Sequence, residues 1–282
     1  MVKITLNDFP GGNIYIKLKR DAIKTIINLI KKSNLQLSKM NQNQIYRMEQ
    51  GQKVSLNLIK NLVKTFNLPI PYIQDNLLLI TSSKNTNVGI KNPQFAINFN
   101  TKIGIQFIAT IMAKGSINRY MQIRINLNTK NKVNTLIKDC KKMFGEIDYK
   151  IYRLQKQNYT ISFPRILGLL IIKLKLLPLS KSISNNNIPR FIFKTTRKKK
   201  KIFIQQYLSL NKNKKLQINK TINYDKKKST IKKNLEKYSP NILIDLKKIL
   251  TDLDINSRIR LQSLKSNKAN WSLIIKEYSL HP

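Results

Sequence analysis

The sequence contains one cysteine and one histidine in 282 residues. A lone cysteine, Cys140, can form neither an internal disulfide nor a thiolate zinc site. The histidine, His281, stands beside the last residue of the sequence, away from any predicted core. These scarcities argue against a disulfide-stabilised fold, a catalytic arrangement of the Ser-His-Asp or Cys-His kind, and zinc hydrolysis.

Acidic residues are also scarce, since 13 Asp and Glu stand against 54 Lys and Arg and give a net charge of +41. So many like charges need a polyanionic partner, and nucleic acid is the usual one. The hydrophobic fraction of 41% is enough for a buried core, so the chain is not a disordered basic tail. Its length suits two or three modules.

Long hydrophobic runs are missing too. The best run, Ile166 to Ile172, ends at Lys173 and is far shorter than the ~20 residues that a membrane helix needs. Charged residues recur from Lys3 to Lys24, which is unlike a secretory signal. We therefore expect a cytoplasmic protein with no membrane partner.

Residues 14–80 show helical periodicity. One predicted helix buries Ile23, Ile26, Ile27 and Ile30. A second amphipathic helix is expected to begin after Ser55 as its N-cap and to end before Pro69. The pattern predicts a small all-α domain over residues 1–80, followed by a linker over 81–98, where Ser, Asn, Gly and Pro show no strong periodicity.

Between these helices, residues 36–56 resemble the helix-turn-helix of phage repressors. A short polar helix ends there in a turn with Glu49 and Gly51, and the next helix opens with Ser55-Leu56. The resemblance implies that Asn and Gln side chains read adenine and that Arg reads guanine. The residues expected at or near base edges are Asn41, Gln42, Asn43, Gln44 and Arg47. A helical bundle with a polar surface is the alternative interpretation.

From residue 99 onward, helices and strands follow an order that occurs twice. In the first repeat of this order, the pattern predicts helices over 101–113, 130–144 and 165–177, with strands over 120–126, 147–154 and 157–163. The second pass predicts helices over 198–210 and 240–253, with strands over 216–224, 258–264 and 271–276. We predict an α+β fold of two pseudo-symmetric repeats, 99–195 and 196–282, in a monomer with an internal pseudo-twofold axis.

This order and four short motifs resemble the LAGLIDADG homing endonucleases in their two-repeat, single-chain form. The motifs are FIATIMAKG at Phe107–Gly115, FG at Phe144-Gly145, NNIPRF at Asn186–Phe191 and FIQQYLSLNK at Phe203–Lys212. The resemblance covers residues 97–278, and family members with an N-terminal helix-turn-helix of this kind look archaeal.

The resemblance implies a metal site that this chain departs from. In that family an acid at the end of each motif helix binds divalent metal, usually Mg²⁺, for cleavage of both DNA strands. The matching positions here are Lys114 and Asn211, and no Asp or Glu occurs over residues 76–138 or 149–224. We therefore expect no catalytic residues and no cofactor; Mg²⁺ would be required only by an active nuclease. One expectation is that Lys114 contacts a phosphate instead, and the alternative is simple drift at an abandoned site.

The resemblance also implies that two sheets form a basic saddle along a nucleic-acid duplex, where outward side chains reach phosphates and base edges. The residues expected to contact nucleic acid are Lys114, Arg119, Tyr120, Gln122, Arg124, Arg153, Arg197, Lys198, Lys199, Lys215, Gln217, Arg258, Arg260 and Gln262, with Lys150 as a further candidate. The alternative for any one of them is a solvated sheet face.

The predicted function is binding of DNA or structured RNA without cleavage. The high charge favours RNA, either in a ribosome-associated or ribosomal protein that binds rRNA or in a maturase-like chaperone. The helix-turn-helix favours DNA, as in a regulator. An active Mg²⁺-dependent, site-specific DNA endonuclease is a further alternative.

Overall fold

The computed structural model describes residues 3–10, 12–33, 39–154, 158–173, 187–211, 217–223, 239–265 and 268–275. The fold is a mixed α and β architecture. The helices are α1 Arg20–Lys32, α2 Lys39–Glu49, α3 Leu56–Thr65, α4 Ile70–Asp75, α5 Lys102–Lys114, α6 Lys130–Phe144, α7 Arg165–Lys173, α8 Arg190–Phe193, α9 Arg197–Asn211 and α10 Asn241–Thr251. The strands are β1 Lys3–Ile4, β2 Tyr15–Leu18, β3 Val54–Ser55, β4 Leu77–Thr81, β5 Gly89–Lys91, β6 Ile97–Asn98, β7 Gly115–Ile117, β8 Ile123–Leu127, β9 Glu146–Ile147, β10 Lys150–Arg153, β11 Tyr159–Ser162, β12 Gln217–Asn223, β13 Ser257–Lys265 and β14 Lys268–Ile275.

The chain divides into two compact units that are discontinuous in sequence. Unit A consists of Val2–Asn98 and Ile117–Leu179, and unit B consists of Phe99–Ser116 and Ser180–Pro282. The predicted boundary after residue 98 coincides with a boundary between the units, whereas the predicted boundaries at residues 80 and 195 lie inside unit A and unit B respectively. Helix α5 belongs to unit B, while strand β8 after it belongs to unit A.

The N-terminal part of unit A is not all-α, and this prediction was wrong. Strands β2 and β4 pair antiparallel inside a five-stranded sheet of order β3-β2-β4-β5-β9. Their pairing joins residues about sixty positions apart, such as Ile16 and Ile80, so local periodicity does not reveal it. The two predicted helices are present as α1 and α3, and the Ser55 hydroxyl accepts the Leu58 N–H at 3.2 Å as an N-cap.

The segment predicted as a linker also carries strands. Strand β5 pairs with β4 on one side and with β9 on the other, and β6 pairs with β1. A Cβ at Gly89 would lie 2.2 Å from the Ile80 carbonyl oxygen, so glycine permits the close approach of β5 to β4. The glycine that resembles a loop signal in the sequence is here a strand residue.

Unit A also holds a sheet of order β10-β11-β8-β7, whose β7 contributes Ile117 to this unit. Helix α6 has the predicted bounds of 130–144, and Thr129 caps its N-terminus through the Lys132 N–H. Gly145 follows with φ +99°, a conformation that favours glycine. Buried Val133 and Ile137 on α6 and buried Ile123 and Ile125 on β8 form the core beneath the sheet.

Unit B combines α5, α8, α9 and α10 with a sheet of order β12-β14-β13. The predicted helix and strand positions in this half are confirmed, with ends that differ by a few residues. Helix α5 is buried almost all round and packs against α9. No helix among the described ranges combines the length and apolar composition that crossing a membrane requires.

Candidate nucleic-acid interface

The sheet of unit A has an apolar face toward its helices and an open polar face. Exposed Arg124 and Asn126 on β8 alternate with buried Ile123 and Ile125. On the open face, Thr160 Oγ1 of β11 donates a 2.7 Å hydrogen bond to Asn126 Oδ1. The open face therefore carries a hydrogen-bonded Thr–Asn pair beside the exposed guanidinium of Arg124.

Strand register extends this open face to β10 and corrects one predicted residue. Lys150 pairs with Ser162, which pairs with Arg124, so these three share a face. Tyr152 pairs with Thr160, which pairs with Asn126, so Tyr152 lies on the same face. Arg153 pairs with Tyr159 and so lies on the opposite face. The sequence alternation around residue 150 is ambiguous and does not indicate which side chains of β10 lie on the open face.

Arg119, Tyr120 and Gln122 lie in a turn before β8, whereas Tyr120 and Gln122 were predicted to lie on the strand. Asn118 Oδ1 accepts the backbone N–H groups of Tyr120 and Gln122, and the Gln122 side-chain oxygen accepts from Asn118 Nδ2 at 3.0 Å. Gln122 is thus part of the turn. Tyr120 is 58% exposed, with the Arg119 guanidinium 4.8 Å from its ring centroid. This pair offers an aromatic face and a cation to a ligand.

The sheet of unit B also has an open polar face. Arg258, Arg260 and Gln262 are exposed on β13. Gln262 Nε2 donates to Ser272 Oγ at 2.6 Å across to β14. On β12 and β14, Thr221 Oγ1 donates to Asn270 Oδ1 at 2.6 Å, and Asn270 Nδ2 donates onward to Ser263 Oγ at 2.7 Å. Gln217 pairs in register with Ile274, and Lys215 lies outside the described residues.

The basic run at 197–201 forms the first turns of α9. Cations are unfavourable at a helix N-terminus, and two acids offset them. Arg197 pairs with Asp254 and Lys200 with Asp252, each at 2.6 Å, and Arg197 also donates to the Leu253 carbonyl oxygen at 2.9 Å. Lys198 is exposed and Lys199 half-buried, so they remain available candidates. Arg197 is exposed but already has these partners.

The two positions that match the family's acids end neighbouring helices of unit B. Lys114 is the exposed last residue of α5, and Asn211 ends α9 with its Nδ2 donating to the Tyr207 carbonyl oxygen at 3.1 Å. One turn before the end of α5, Gln206 Nε2 of α9 donates to Thr110 Oγ1 at 2.9 Å. A hydrogen bond thus joins the two motif helices within their contact.

The residues at these positions do not fit a divalent metal. The described acids of unit B are used elsewhere: Asp245 accepts the Ile188 N–H at 2.8 Å, and Asp252 and Asp254 pair with α9. Within the described ranges, no group of three or more His, Cys, Asp or Glu could hold a metal ion. Mg²⁺ needs hard oxygen ligands that include carboxylates, and an ammonium group at Lys114 would repel it.

Sequence reasoning missed one lysine of unit B, which lies on the apolar face of the β12-β14-β13 sheet. Lys220 on β12 pairs in register with buried Trp271 on β14, on the face that also carries Ile218 and Leu273. Burial, followed by the charge of Lys114, lowers the pKa of Lys220 to about 8. The alternation of Ile218, Lys220 and Ile222 was the available signal, because it places one cation on an apolar face.

Two residues of helix α2 in unit A that were predicted to contact base edges form hydrogen bonds within the protein instead. Gln44 Oε1 accepts the Ser55 N–H at 3.0 Å, and Arg47 Nε donates to Gln52 Oε1 at 3.2 Å. Gln42 and Asn43 are exposed, and Asn41 is half-buried. Tyr46, which was not predicted, is 63% exposed on the same helix. The exposed residues described on α2 are therefore Gln42, Asn43, Tyr46 and Glu49, and Glu49 pairs with Lys31 of α1.

Comparison with known proteins gives weak likenesses. No family model matches the chain, and no curated protein matches it. The structure of I-DmoI in complex with DNA and Ca is 12% identical with a TM-score of 0.37, covering 64% of this chain and 85% of that chain. The N-terminal LAGLIDADG domain of DUF199/WhiA is 15% identical with a TM-score of 0.34, covering 63% and 77%.

Proposed function

We propose that this protein binds nucleic acid through the open faces of two LAGLIDADG-like sheets and does not cleave it by a metal-dependent route. The observation that carries the proposal is the chemistry of these faces. Each presents exposed arginine beside cross-strand pairs of Thr and Asn, with no acid among the residues described on the face. Arginine and amide side chains are the usual contacts to phosphates and base edges.

Internal duplication supports the LAGLIDADG-like interpretation. The strand order β8-β11-β10 corresponds to β12-β14-β13. In both halves a long helix precedes the first of these strands, α5 in one and α9 in the other. A second helix, α6 or α10, precedes the other two strands. The Thr–Asn bond joins the corresponding strands in the two halves, Asn126 with Thr160 and Thr221 with Asn270.

Absence of metal-dependent cleavage is supported by Lys114 and Asn211 at the motif positions. Incubation of the protein with supercoiled plasmid and Mg²⁺ or Mn²⁺ tests it directly. We expect the plasmid to remain supercoiled while a mobility shift shows binding. Nicked or linear product that disappears with chelator would contradict this part of the proposal.

The binding part is tested with charge-removing variants and a matched control. Arg258→Gln with Arg260→Gln should weaken binding to a labelled duplex and reduce the slope of log affinity against log salt by roughly 2. Lys138→Gln with Lys141→Gln removes the same charge from the exposed side of α6, away from the open face. Equal losses in the two double variants would show that net charge, not the open face, governs binding.

The identity of the nucleic acid is tested by crosslinking in cells and sequencing of the attached strands, which separates DNA, rRNA and intron RNA.

We include α2 in the proposal as a helix-turn-helix reading element, because Asn43 and Tyr46 are exposed on it. Their replacement by alanine should weaken binding to a selected sequence more than to random duplex. Equal weakening on both would remove the reading role.

A further inference from the structure

A groove runs along the outer edge of the sheet in unit B, between helix α10 and strand β13. Strand β13 ends the order β12-β14-β13, so among the described strands it has no neighbour on its outer side. The groove has a volume of about 880 Å³, which is within the range of small-molecule sites. Its apolar lining consists of Trp271 and three half-buried side chains, Ile244, Ile259 and Leu261. A lining of this kind suits a flat, largely apolar ring.

The indole N–H of Trp271 is a polar group within this apolar lining. Trp271 is 1% exposed, and its Nε1 has no hydrogen-bond partner within the described residues. A buried indole N–H normally donates to an acceptor, because an unpaired buried donor costs free energy. A ring that carries a carbonyl oxygen or an unprotonated ring nitrogen supplies the missing acceptor.

Cations surround the groove and connect it to the open face of the sheet. Two exposed cations on α10 and two on β13 contribute to the lining: Lys247, Lys248, Arg258 and Arg260. Of the described lining residues Asp252 is the one acid, and it pairs with Lys200 at 2.6 Å. Because the arginines of β13 belong both to the open face and to the groove, an anionic strand on that face lies beside the groove.

We propose that this groove takes up one unpaired nucleotide of the nucleic acid that the open face binds. The base lies on the apolar lining with one acceptor at the Trp271 N–H, and a flanking phosphate contacts the lysines of α10. A nucleotide combines a flat ring, an acceptor and an anion, whereas a fatty acyl anion has no acceptor on its apolar part. This inference rests on the proposed function and adds an unpaired nucleotide to the preferred partner.

The cost of exposing a base predicts which nucleic acids fit this groove. Moving a paired base into a pocket requires unstacking and unpairing, and this cost is smallest for a base that is already unpaired. A duplex with a single-nucleotide bulge should therefore bind more tightly than a fully paired duplex. Enclosing one base typically changes affinity by roughly tenfold.

The experiment compares a fully paired duplex, a duplex with one bulged adenosine, and a duplex with an abasic unit at the bulge, each as DNA and as RNA. The abasic duplex keeps the bulged phosphate and lacks the base. In anisotropy titrations, the full chain should bind the bulged adenosine duplex roughly tenfold more tightly than the abasic one. Trp271 is the only tryptophan of the chain, so its fluorescence emission should change with the bulged adenosine and not with the abasic unit.

Two variants divide this preference into its parts. Trp271→Phe keeps an aromatic ring, removes the donor, and should reduce the preference for the adenosine over the abasic bulge about threefold. Lys247→Gln with Lys248→Gln should lower the salt slope by up to about 2 for the bulged duplex and less for the paired one. Lys138→Gln with Lys141→Gln on α6 removes the same charge and should keep the preference. Circular dichroism and thermal unfolding confirm that each variant is folded.

The outcomes separate this inference from the function on which it rests. Equal affinity for the adenosine and abasic bulges, with unchanged Trp271 emission and a steep salt slope, would overturn the groove site alone. Failure to bind any of the duplexes would overturn both proposals. Emission that responds to adenosine monophosphate while the bulged duplexes bind equally would show a site for free nucleotides and overturn the bound strand as the source. Emission that changes with protein concentration alone would show that a second copy of the chain fills the groove, contrary to the proposal.

Discussion

Thr221 Oγ1 donates a 2.6 Å hydrogen bond to Asn270 Oδ1 on the open face of unit B, and Thr160 makes the corresponding 2.7 Å bond to Asn126 in unit A. Both bonds join residues directly opposite each other on neighbouring antiparallel strands. Such pairs fix the amide groups in orientation, so each face presents ordered donors and acceptors beside its arginines.

Thr221→Val should keep the shape of the side chain and remove the bond to Asn270. We expect the free energy of unfolding to fall by about 1 kcal/mol. The slope of log affinity for nucleic acid against log salt should change little, since no charge is removed. Urea unfolding measures the first effect. Thr251→Val is the control, because the Thr251 hydroxyl bonds only to the Lys247 carbonyl of its own helix among the described contacts.

Gln206→Ala, compared with Gln205→Ala, tests how much the hydrogen bond between α5 and α9 contributes to the free energy of unfolding. Both variants change helix propensity by the same amount, but only Gln206→Ala removes the bond. The loss of the hydrogen bond to Thr110 is expected to cost about 1 kcal/mol. Gln205→Ala removes the same side chain one residue earlier, at an exposed position of α9, and should stay within about 0.5 kcal/mol of wild type. Equal unfolding midpoints for the two variants would show that the bond does not stabilise the helix pair.

Gly168→Ala should be destabilising although alanine favours helices. A Cβ at Gly168 of α7 would lie 1.8 Å from the Met121 carbonyl oxygen, which belongs to the turn that presents Arg119 and Tyr120. Crowding of this kind costs about 1–3 kcal/mol. Chemical denaturation measures the loss, and a weaker duplex affinity would report displacement of the turn. Gly51→Ala offers a contrast, since Gly51 has a φ of +67° and no neighbour within 4 Å of the added Cβ.

Lys220→Met should stabilise the protein at neutral pH and much less at high pH. The unfolded chain binds a proton at Lys220 up to its ordinary pKa of 10.5, whereas the folded chain releases it near 8. Wild-type stability from this group therefore rises with pH between 8 and 10.5, by on the order of 3 kcal/mol at most. Unfolding curves at several pH values, taken as the difference between wild type and Lys220→Met, isolate this group. A difference that stays constant with pH would contradict the lowered pKa.

The sequence was sufficient to predict those elements whose ends and buried faces depend on residues within the same segment. The bounds of α6, the Ser55 cap and the C-terminal glycine at 145 were predictable, because capping and apolar periodicity act within a few positions. The alternation on β13 likewise placed Arg258 and Arg260 on an exposed face.

Long-range relationships were not predictable in the same way. Strands β2 and β5 depend on distant partners, and the facing of β10 depends on register with Thr160 and Ser162. The internal roles of Gln44 and Arg197 follow from partners that are distant along the chain or set by loop geometry. The lowered pKa of Lys220 depends on its burial beside Trp271 and on the charge of Lys114, both of them distant along the chain.

The assignment of α5 to unit B has a consequence for the order of events during synthesis. The helix emerges early, and its packing partner α9 ends roughly 100 residues later, which takes on the order of 10 s of translation. During that interval a nearly all-apolar helix has no α9 against which to bury its surface. A chaperone that binds exposed hydrophobic helices should engage the nascent chain in this window and leave once α9 has emerged.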